Sequence, residues 1–308
     1  MVTVKDLKQK FKMKVLAGEA GLTQSIPLSQ LTRPGLELAG MFDFYEADRV
    51  QLLGSKEIAF FHWLNEADQA IRVKMMFEKK PPAFVFSRNV EVPEVFIHNG
   101  ITFGIPVLKS TVRTNELFVL MFQYLEDLLA PRISVHGTLM DINGVGVLIR
   151  GQSGIGKSEV ALELVRRGHQ LVADDRVDIF VRGEDILVGE APHILKKYLE
   201  IRGIGIVNVV KLFGASAFKE SKKIMIIIDL VTFEQGMDYD RLGLDSVYET
   251  IMSIKVPAIK IPITAARSVS TLVEVAAMNA NLKFLGTNMA EEFTEELSKA
   301  IDKKHKKV

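Results

Sequence analysis

The chain has 308 residues, of which 48% are hydrophobic and 25% are charged, and 39 basic against 38 acidic residues give a formal net charge of +1. This length favours two domains over one. Because the chain has no cysteine, disulfides, iron–sulfur clusters and thiolate zinc sites are excluded. The balanced charge argues against general nucleic-acid binding, so we expect no nucleic-acid partner.

The hydrophobic segments are too short to cross a membrane. The apolar run at 224–231, for example, is far below the span of about 18 residues and contains a carboxylate. The first residues lack the apolar core and the cleavage site of a signal peptide. We therefore expect a cytoplasmic protein without a membrane partner, and we interpret the basic residues near the end of the chain as a solvated tail.

Residues 1–130 are predicted to form an α/β domain, with the boundary near Pro131. Short apolar runs between turns predict strands over 73–77, 83–87, 95–99 and 101–108. Helices are predicted over 7–16, 55–67 and 115–129, the last with Thr114 as its N-cap. Trp63 and the phenylalanines near it are expected in the core. The domain contains no recognisable chemical motif, so its role stays open.

Residues 131–308 are predicted to form a second domain that is rich in strands and ends in helices over 268–283 and 290–306. Its strands are predicted over 133–142, 144–149, 170–175, 176–181, 185–189 and 223–231. The fourth and fifth of these should form a β-hairpin with Gly183 in its turn. Such a meander differs from the parallel strands of common P-loop enzymes, which predicts a phosphate-binding loop on an unusual sheet.

A complete G-x-x-x-x-G-K-S motif lies between a predicted strand and a predicted helix that is closed by Gly168. Its glycines let backbone N–H groups turn toward phosphate oxygens, Lys157 supplies a positive charge, and the Ser158 hydroxyl is placed for Mg²⁺. A dinucleotide-binding turn fits less well, because Glu159 stands where that motif has its third glycine. The predicted phosphate-binding residues are Gly151, Gln152, Ser153, Gly154, Ile155, Gly156, Lys157 and Ser158.

Two segments could supply the carboxylate that a phosphoryl-transfer site needs beside this loop. One apolar run ends at Asp229, like a Walker B strand, and the other ends at the pair Asp174 and Asp175. We favour the pair, because it follows the P-loop helix closely and because adjacent acids can divide metal ligation from proton transfer. Asp229 is then interpreted as a strand-end carboxylate at a solvent edge.

Three further residues have roles that the sequence alone leaves open. His136 lies on the strand before the loop and is either structural or catalytic. Glu200 begins a predicted loop, 200–205, that also holds Arg202 and two glycines; this loop is either a turn with a surface ion pair or a source of metal ligation and positive charge. Arg241 is equally ambiguous.

Taken together, these segments resemble the bacterial HPr kinase/phosphorylase family. Matching segments follow one another over nearly the whole chain, and the most specific of them is LEIRGIGIVNV (199–209). The other matching segments are 32–57, 136–159, 168–178, 239–243 and 274–279. The resemblance implies a homohexamer whose kinase domain is similar to phosphoenolpyruvate carboxykinase. It also implies transfer of phosphate from ATP, or in some members pyrophosphate, to a serine of the phosphocarrier protein HPr, and reversal with inorganic phosphate as acceptor and pyrophosphate as product.

The resemblance also implies roles for single residues. Ser158 and Glu200 would bind Mg²⁺, and Arg241 would stabilise the transferred phosphoryl group. Asp175 would accept the serine proton in the forward direction and return it in the reverse direction, as microscopic reversibility requires. The implied catalytic residues are His136, Lys157, Asp174, Asp175 and Arg241.

One segment departs from the family pattern. The family reads P-V-R-P-G-R-N where this chain has PITAARS at 262–268, so Thr264 replaces an arginine and Ala265–Ala266 replace a Pro-Gly pair. One cation and one flexible position are lost. We hypothesise that the balance between kinase and phosphorylase activity, or its regulation, differs from the family norm.

Two other functions remain possible on the residues alone. The loop could serve a small-molecule kinase or carboxykinase-like enzyme, or it could bind ATP in a non-catalytic nucleotide sensor. The preferred phosphoryl donor and any regulating metabolite also stay open.

Overall fold

The computed structural model describes residues 2–233, 247–264 and 268–305, with side chains described as far as residue 299. The chain divides into two units, Met1–Ala130 and Pro131–Val308. Each unit has hydrophobic clusters of its own. Among the described residues, no helix combines the length and the apolar character that a bilayer crossing requires.

The first unit is built on one five-stranded sheet. Its strands are β1 (Lys14–Ala17), β2 (Leu31–Thr32), β3 (Val50–Leu53), β4 (Phe84–Phe86) and β5 (Val107–Lys109). Its helices are α1 (Val4–Lys10), α2 (Gly35–Leu38), α3 (Ser55–Phe61), α4 (Glu66–Glu78), α5 (Glu94–Phe103) and α6 (Thr114–Leu129). The strand order is β1-β5-β4-β3-β2, with β2 to β5 parallel and β1 antiparallel to β5.

Both faces of this sheet are covered by helices, because successive side chains of a strand point to opposite faces. Phe84 and Phe86 of β4 join the cluster that includes residues of α2 to α5. Val85, between them, joins the cluster that includes residues of α1 and α6. The unit is therefore a three-layer α/β/α arrangement, in agreement with the predicted fold class.

Two segments of this unit that were predicted as strands are helical. Residues 73–77 lie in α4 and residues 95–99 lie in α5. In α4 the buried residues are Val73, Met76 and Phe77, which is helical spacing, but five residues are too few to separate that pattern from a buried strand. The predicted helix over 7–16 is also wrong in its second half, because α1 ends at Lys10 and β1 follows.

Two single-residue predictions in this unit are wrong. The side chain of Trp63 is 88% exposed, and Phe61, two residues earlier, occupies the core instead. The N-cap of α6 is Arg113, while Thr114 is the first helical residue and its hydroxyl contacts that of Ser87 at 2.8 Å.

The second unit contains twelve of the described strands and four of the described helices. The strands that precede the P-loop helix are β6 (Arg132–His136), β7 (Thr138–Ile142) and β8 (Val145–Gly151). Those that follow it are β9 (Gln170–Ala173), β10 (Arg176–Arg182), β11 (Ile186–Glu190), β12 (Tyr198–Ile201), β13 (Gly205–Asn208), β14 (Ser221–Lys223), β15 (Ile226–Thr232), β16 (Tyr248–Ile251) and β17 (Ile254–Ile263). The helices are α7 (Lys157–Arg166), α8 (Val209–Phe213), α9 (Val269–Phe284) and α10 (Met289–His305), which confirms the two predicted C-terminal helices.

A mixed six-stranded sheet carries the P-loop strand β8 near its centre, in the order β16-β17-β15-β8-β7-β9. Strands β8, β15 and β17 are parallel, whereas β7 is antiparallel to both of its neighbours. The second sheet, β14-β11-β10-β6, is antiparallel and contains the predicted hairpin, with Gly183 at φ +64° in its turn. The predicted meander is thus confirmed, but it lies outside the sheet that carries the loop.

The six-stranded sheet packs against helices on one face and against the second sheet on the other. Val147 and Ile149 of β8 join a cluster with buried residues of α7 and α9. Leu148, between them, joins a cluster with Val177 and Ile179 of the second sheet. This alternation places β8 in the middle of a helix–sheet–sheet stack and fixes the position of the loop that follows it.

Two segments predicted as continuous strands are each divided between the two sheets. The segment 133–142 breaks at Gly137 into β6 and β7, and the segment 223–231 breaks into β14 and β15. A Cβ at Gly137 would lie only 2.8 Å from the backbone oxygen of Ile149, so the chain passes too close to β8 for any side chain.

Candidate functional site

The phosphate-binding motif forms the turn between β8 and α7. Its glycines Gly151, Gly154 and Gly156 all have positive φ angles, of +151°, +83° and +102°. Such angles are costly for residues with a side chain. A Cβ at Gly154 would lie 2.7 Å from Nη1 of Arg202, so the guanidinium group of Arg202 lies against this turn. The strand–turn–helix context expected of the motif is present.

The ammonium group of Lys157 is buried and has three partners. Nζ donates to the carbonyl oxygens of Gly151 and Gln152 at 3.0 and 3.2 Å. It also lies 3.1 Å from Nε2 of His136. Because a lysine ammonium can only donate, Nε2 of His136 must accept, and the proton of the neutral ring must then be on Nδ1.

The other nitrogen of this imidazole faces Asp175. Nδ1 of His136 lies 3.1 Å from Oδ1 of Asp175, so the imidazole and the carboxylate are in contact. The side-chain contacts therefore run from Lys157 through His136 to Asp175. The side chain of Asp175 is 66% exposed, so this end of the series is open to an incoming group.

The neighbouring carboxylate is enclosed. Asp174 is buried, and its Oδ1 accepts the Thr138 hydroxyl at 2.6 Å while its Oδ2 accepts the Ser158 hydroxyl at 2.9 Å. Asp175 has φ +64°, a left-handed conformation that aspartate tolerates better than most residues. In this turn between β9 and β10, the side chain of Asp174 contacts Ser158 of the loop, whereas the side chain of Asp175 is exposed to solvent.

Glu200 reaches the site through a strand rather than a loop. The segment 200–205 was predicted as a loop, but Glu200 lies in β12, which pairs with β13. Its backbone nitrogen is 3.5 Å from Oδ2 of Asp174, and its side chain is exposed. The hairpin also brings the guanidinium group of Arg202 against the P-loop turn, as its approach to Gly154 shows.

Sequence reasoning missed Thr138, and it offered the positive charge of Arg202 only as one of two alternatives for the segment 200–205. A threonine inside an apolar strand has no signature of its own. Arg202 lies in the segment 199–209, which is the most specific of the segments that resemble the family, and this position was the sequence signal for it. Thr138 fixes the orientation of Asp174, and Arg202 adds a positive charge beside the loop.

Asp229 does not lie at a solvent edge, so its interpretation as an edge carboxylate is wrong. It belongs to β15, which pairs with β8, and its carboxylate accepts two hydrogen bonds from Arg150 at 2.9 and 3.0 Å. Arg150 also donates to Glu249. The hydrogen bonds that Arg150 donates to Glu249 and Asp229 raise the pKa of Arg150 above its ordinary value. Asp229 thus holds Arg150 next to the loop, and both of its carboxylate oxygens are engaged by that arginine.

The residues at and beside the loop offer oxygen donors of the chemical type that binds Mg²⁺. Across residues 2–233, 247–264 and 268–299, no group of three or more His, Asp or Glu side chains is placed to enclose a metal. Mg²⁺, however, is usually held by one or two carboxylates together with waters and substrate phosphates. The hydroxyl of Ser158 and the carboxylates of Asp174 and Glu200 are hard donors of that kind. Arg241 and residues 265–267 lie outside the described residues.

Comparison with known proteins identifies the family. The profile described as HPr Serine kinase C-terminal domain matches residues 127–297, and the profile described as HPr Serine kinase N terminus matches residues 2–125. The chain belongs to the HPr serine kinase family. The family resemblance inferred from the sequence is therefore confirmed.

Several similar proteins carry the name HPr kinase/phosphorylase. The one from Listeria monocytogenes serotype 4a is 49% identical over 300 residues, which cover 97% of this chain and 96% of that protein. The one from Bacillus velezensis is 45% identical over 301 residues, which cover 98% of this chain and 97% of that protein. A solved structure titled Hpr(Ser) kinase/phosphatase from Coxiella burnetii is 37% identical, covers 52% of this chain and 98% of that one, and has a TM-score of 0.47.

Proposed function

We propose that the chain transfers the γ-phosphate of ATP to a serine of HPr and reverses this reaction by phosphorolysis, with pyrophosphate as the product. The observation that carries the proposal is the series of side-chain contacts from Lys157 through His136 to the exposed Asp175 beside the P-loop turn. It is supported by the HPr serine kinase family, to which the chain belongs. In this proposal residues 131–308 are the catalytic domain.

In this proposal, the P-loop (151–158) binds the phosphate groups. Phosphoryl transfer needs mainly positioning and neutralisation of charge, and the backbone N–H groups of residues 151–156 and the α7 N-terminus supply both. Lys157 is held at the loop by two carbonyl oxygens and His136, so it would exchange one of these three contacts for a phosphate oxygen. Arg202 and Arg241 are proposed to neutralise charge on the transferred group.

In this proposal, Asp175 is the residue that accepts and returns the proton. Both oxygens of Asp174 accept hydroxyl hydrogen bonds, so its carboxylate is engaged, while Asp175 faces solvent. In the forward direction Asp175 would accept the proton of the HPr serine as its oxygen attacks the γ-phosphate. In the reverse direction the same carboxyl group would return that proton to the serine oxygen while inorganic phosphate attacks phosphoserine. His136 would hold the carboxylate in place for both steps.

Mg²⁺ is proposed as the metal, held by Ser158 and Glu200. When bound, it would neutralise phosphate charge and orient the phosphate groups. Asp174 would fix the Ser158 hydroxyl through the hydrogen bond between them. A homohexamer, which the family resemblance implies, is proposed as the assembly, and light scattering coupled to size-exclusion chromatography measures it.

One experiment tests the reaction, its direction and its substrate. The purified chain is incubated with HPr, γ-labelled ATP and Mg²⁺, and then unlabelled inorganic phosphate is added. We expect label on a serine of HPr first, and then loss of that label with formation of labelled pyrophosphate. Failure to label HPr would refute the proposal, and release of labelled inorganic phosphate in place of pyrophosphate would refute the phosphorolysis.

A further inference from the structure

Arg150 carries the last side chain of β8, directly before the phosphate-binding loop begins at Gly151. Its guanidinium group forms two bidentate ion pairs. Nε and Nη2 donate to the carboxylate of Asp229 at 2.9 and 3.0 Å, and Nη1 and Nη2 donate to that of Glu249 at 2.6 and 2.5 Å. Four of the five guanidinium N–H donors are used in this way, so the arginine is directed at the two acids rather than at a phosphate.

The two acids come from strands on the same side of β8. Asp229 lies on the neighbouring strand β15, in direct register with Arg150. The next residue of β15, Leu230, runs so close to the loop that its carbonyl oxygen would lie 2.7 Å from a Cβ at Gly151. Glu249 belongs to the edge strand β16 of the same sheet. Arg150 therefore draws two carboxylates to the point where the loop begins.

These three residues, the Arg150 cluster (Arg150, Asp229 and Glu249), lie on the face of the sheet that packs against the second sheet. Leu148 and Ile227 belong to the hydrophobic cluster between the two sheets. Arg150 and Asp229 follow them by two residues in the same strands, and alternate residues of a strand share a face. The second sheet carries His136 to the loop. The cluster thus lies on the side of the sheet from which His136 approaches.

The Arg150 cluster has a net charge of −1, because one cation faces two carboxylates (one minus two). The side chains of Asp229 and Glu249 are only 25% and 39% exposed, so water screens them incompletely. Lys260 of β17 is also in register with Asp229, but it is exposed and its charge is screened more strongly. Like charges repel over roughly 10 Å at ordinary ionic strength. The two acids therefore oppose the binding of a polyphosphate at the loop, and Arg150 offsets part of this repulsion.

We propose that Arg150 is a positioning residue that sets the affinity of the P-loop for the phosphates of ATP by holding and neutralising Asp229 and Glu249. The inference rests on the proposed function in one respect, that the loop binds ATP. Because Arg150 acts through the two acids, the affinity should follow the net charge of the cluster whichever of its members is changed. A purely structural role would make every substitution weaken binding, since each one breaks ion pairs.

The sign of two opposite changes tests this inference. Calorimetric titration of the full chain with a non-hydrolysable ATP analogue and Mg²⁺ measures the affinity. Arg150→Met changes the cluster charge from −1 to −2 and should weaken binding about tenfold. Asp229→Asn/Glu249→Gln changes it from −1 to +1 and should tighten binding about 100-fold. Weaker binding in this acid-free double variant would overturn the proposal.

A triple variant separates charge from ion pairing. Arg150→Met/Asp229→Asn/Glu249→Gln has neither charge nor ion pair in the cluster, and we expect it to bind about tenfold more tightly than the wild type. Raising the salt concentration from about 50 to about 500 mM should shrink all of these differences to less than about threefold. A deficit of the triple variant, or differences that salt leaves unchanged, would overturn the electrostatic role of Arg150.

Arg132→Met is the matched control. Arg132 is a half-buried arginine of the same unit, and it pairs with Glu190 at 2.7 Å. It lies at the start of β6, about 13 Å from the end of that strand at His136, so its loss should change the affinity less than about twofold. An equal loss of affinity in Arg132→Met and Arg150→Met would overturn the proposal. If Arg150→Met does not fold, which circular dichroism reports, the sign of the effect in the acid-free double variant decides.

The titration contains no HPr, so its outcome is separate from that of HPr phosphorylation. The expected order of affinities in a chain that fails to phosphorylate HPr would refute the proposed function and leave this inference standing. Phosphorylation of HPr by a chain whose affinities do not follow the charge of the cluster would overturn this inference alone.

Discussion

Asp174 and Asp175 are neighbours in the chain but have opposite surroundings. Asp174 is 5% exposed and hydrogen-bonded at both oxygens, whereas Asp175 is open to solvent and faces His136. A buried acid that accepts two hydroxyl hydrogen bonds is suited to holding Ser158, and an exposed acid beside a phosphate loop is suited to proton transfer. Each acid therefore has its own test.

Replacing Asp175 with asparagine should remove proton transfer and leave nucleotide binding intact. We expect the rate constants for phosphorylation and phosphorolysis both to fall about 10²- to 10⁴-fold, the usual contribution of a general base. ATP affinity should stay within about threefold, since Asp175 lies outside the loop. Asp185→Asn, in the exposed hairpin turn of the same unit, is the matched control and should keep full activity. Loss of only one of the two directions would contradict a shared acid–base residue.

Replacing Thr138 with valine should destabilise the protein through Asp174. The Thr138 hydroxyl is fully buried and donates to Asp174 at 2.6 Å, so the carboxylate would lose a charge-assisted hydrogen bond worth about 1.5–3 kcal/mol. The denaturant midpoint measures this loss. Thr138→Ser keeps the hydroxyl and should retain most of the stability. If serine destabilised as much as valine, packing and not the hydrogen bond would be responsible.

At the scale of elements, an ion cluster joins the end of α7 to α9. Glu274 of α9 lies 2.9 Å from Nε2 of His169 and from Nη1 of Arg167, two residues just beyond α7. The hydrogen bonds from His169 and then Arg167 hold the pKa of Glu274 below its ordinary value of 4.5. The cluster thus ties the P-loop helix to the helix that covers the same face of the sheet.

This pKa shift predicts the pH dependence of stability. An acid whose pKa is lowered in the folded state stabilises fully above its unfolded pKa, and this stabilisation is lost as the pH falls through the lowered value. The advantage of the wild type over Glu274→Gln in thermal midpoint should therefore shrink as the pH is lowered from 6 through about 4.5 and below. Glu295→Gln, whose ion pair with Lys299 is 72% exposed, should show little difference at any pH. A gap that widened in acid would contradict the prediction.

Long or strongly marked elements could be predicted from the sequence, and short apolar runs could not. The helices α6, α9 and α10 have many turns over which helical spacing accumulates, and the hairpin of β10 and β11 has its glycine turn. Residues 73–77 and 95–99 were mistaken for strands because a segment of five residues is too short to show a helical period. Exposure of Trp63 depends on where the chain turns between α3 and α4, which no local pattern reports.

The motifs of the site were readable, but the contacts between them were not. The phosphate loop and the paired acids have signatures in the sequence. The meeting of His136 with Lys157 depends on the break at Gly137, where the chain leaves one sheet for the other. The roles predicted for His136, Glu200 and Arg241 stay predictions until the variants are measured.

At the scale of the molecule, the P-loop strand is enclosed by two cores. One face of the six-stranded sheet supports α7 and α9, and the other supports the antiparallel sheet that carries His136 at the end of β6. Groups from both sheets therefore meet at the loop. The strand β17 of the six-stranded sheet contains Pro262 and Ile263, the first two residues of the segment that departs from the family pattern.

The departing segment predicts a changed balance between the two directions of the reaction. Thr264 stands where the family pattern has an arginine, and one charged contact to phosphate is worth about tenfold in rate. Restoring the pattern with Thr264→Arg, Ala265→Pro and Ala266→Gly should therefore raise the ratio of phosphorolysis to phosphorylation about tenfold. Initial rates with labelled phosphoserine-HPr and with ATP measure the ratio. Thr264→Gln, which adds length without charge, is the control and should leave it near the wild-type value; a ratio unchanged by all three substitutions would show that the altered residues do not set the balance.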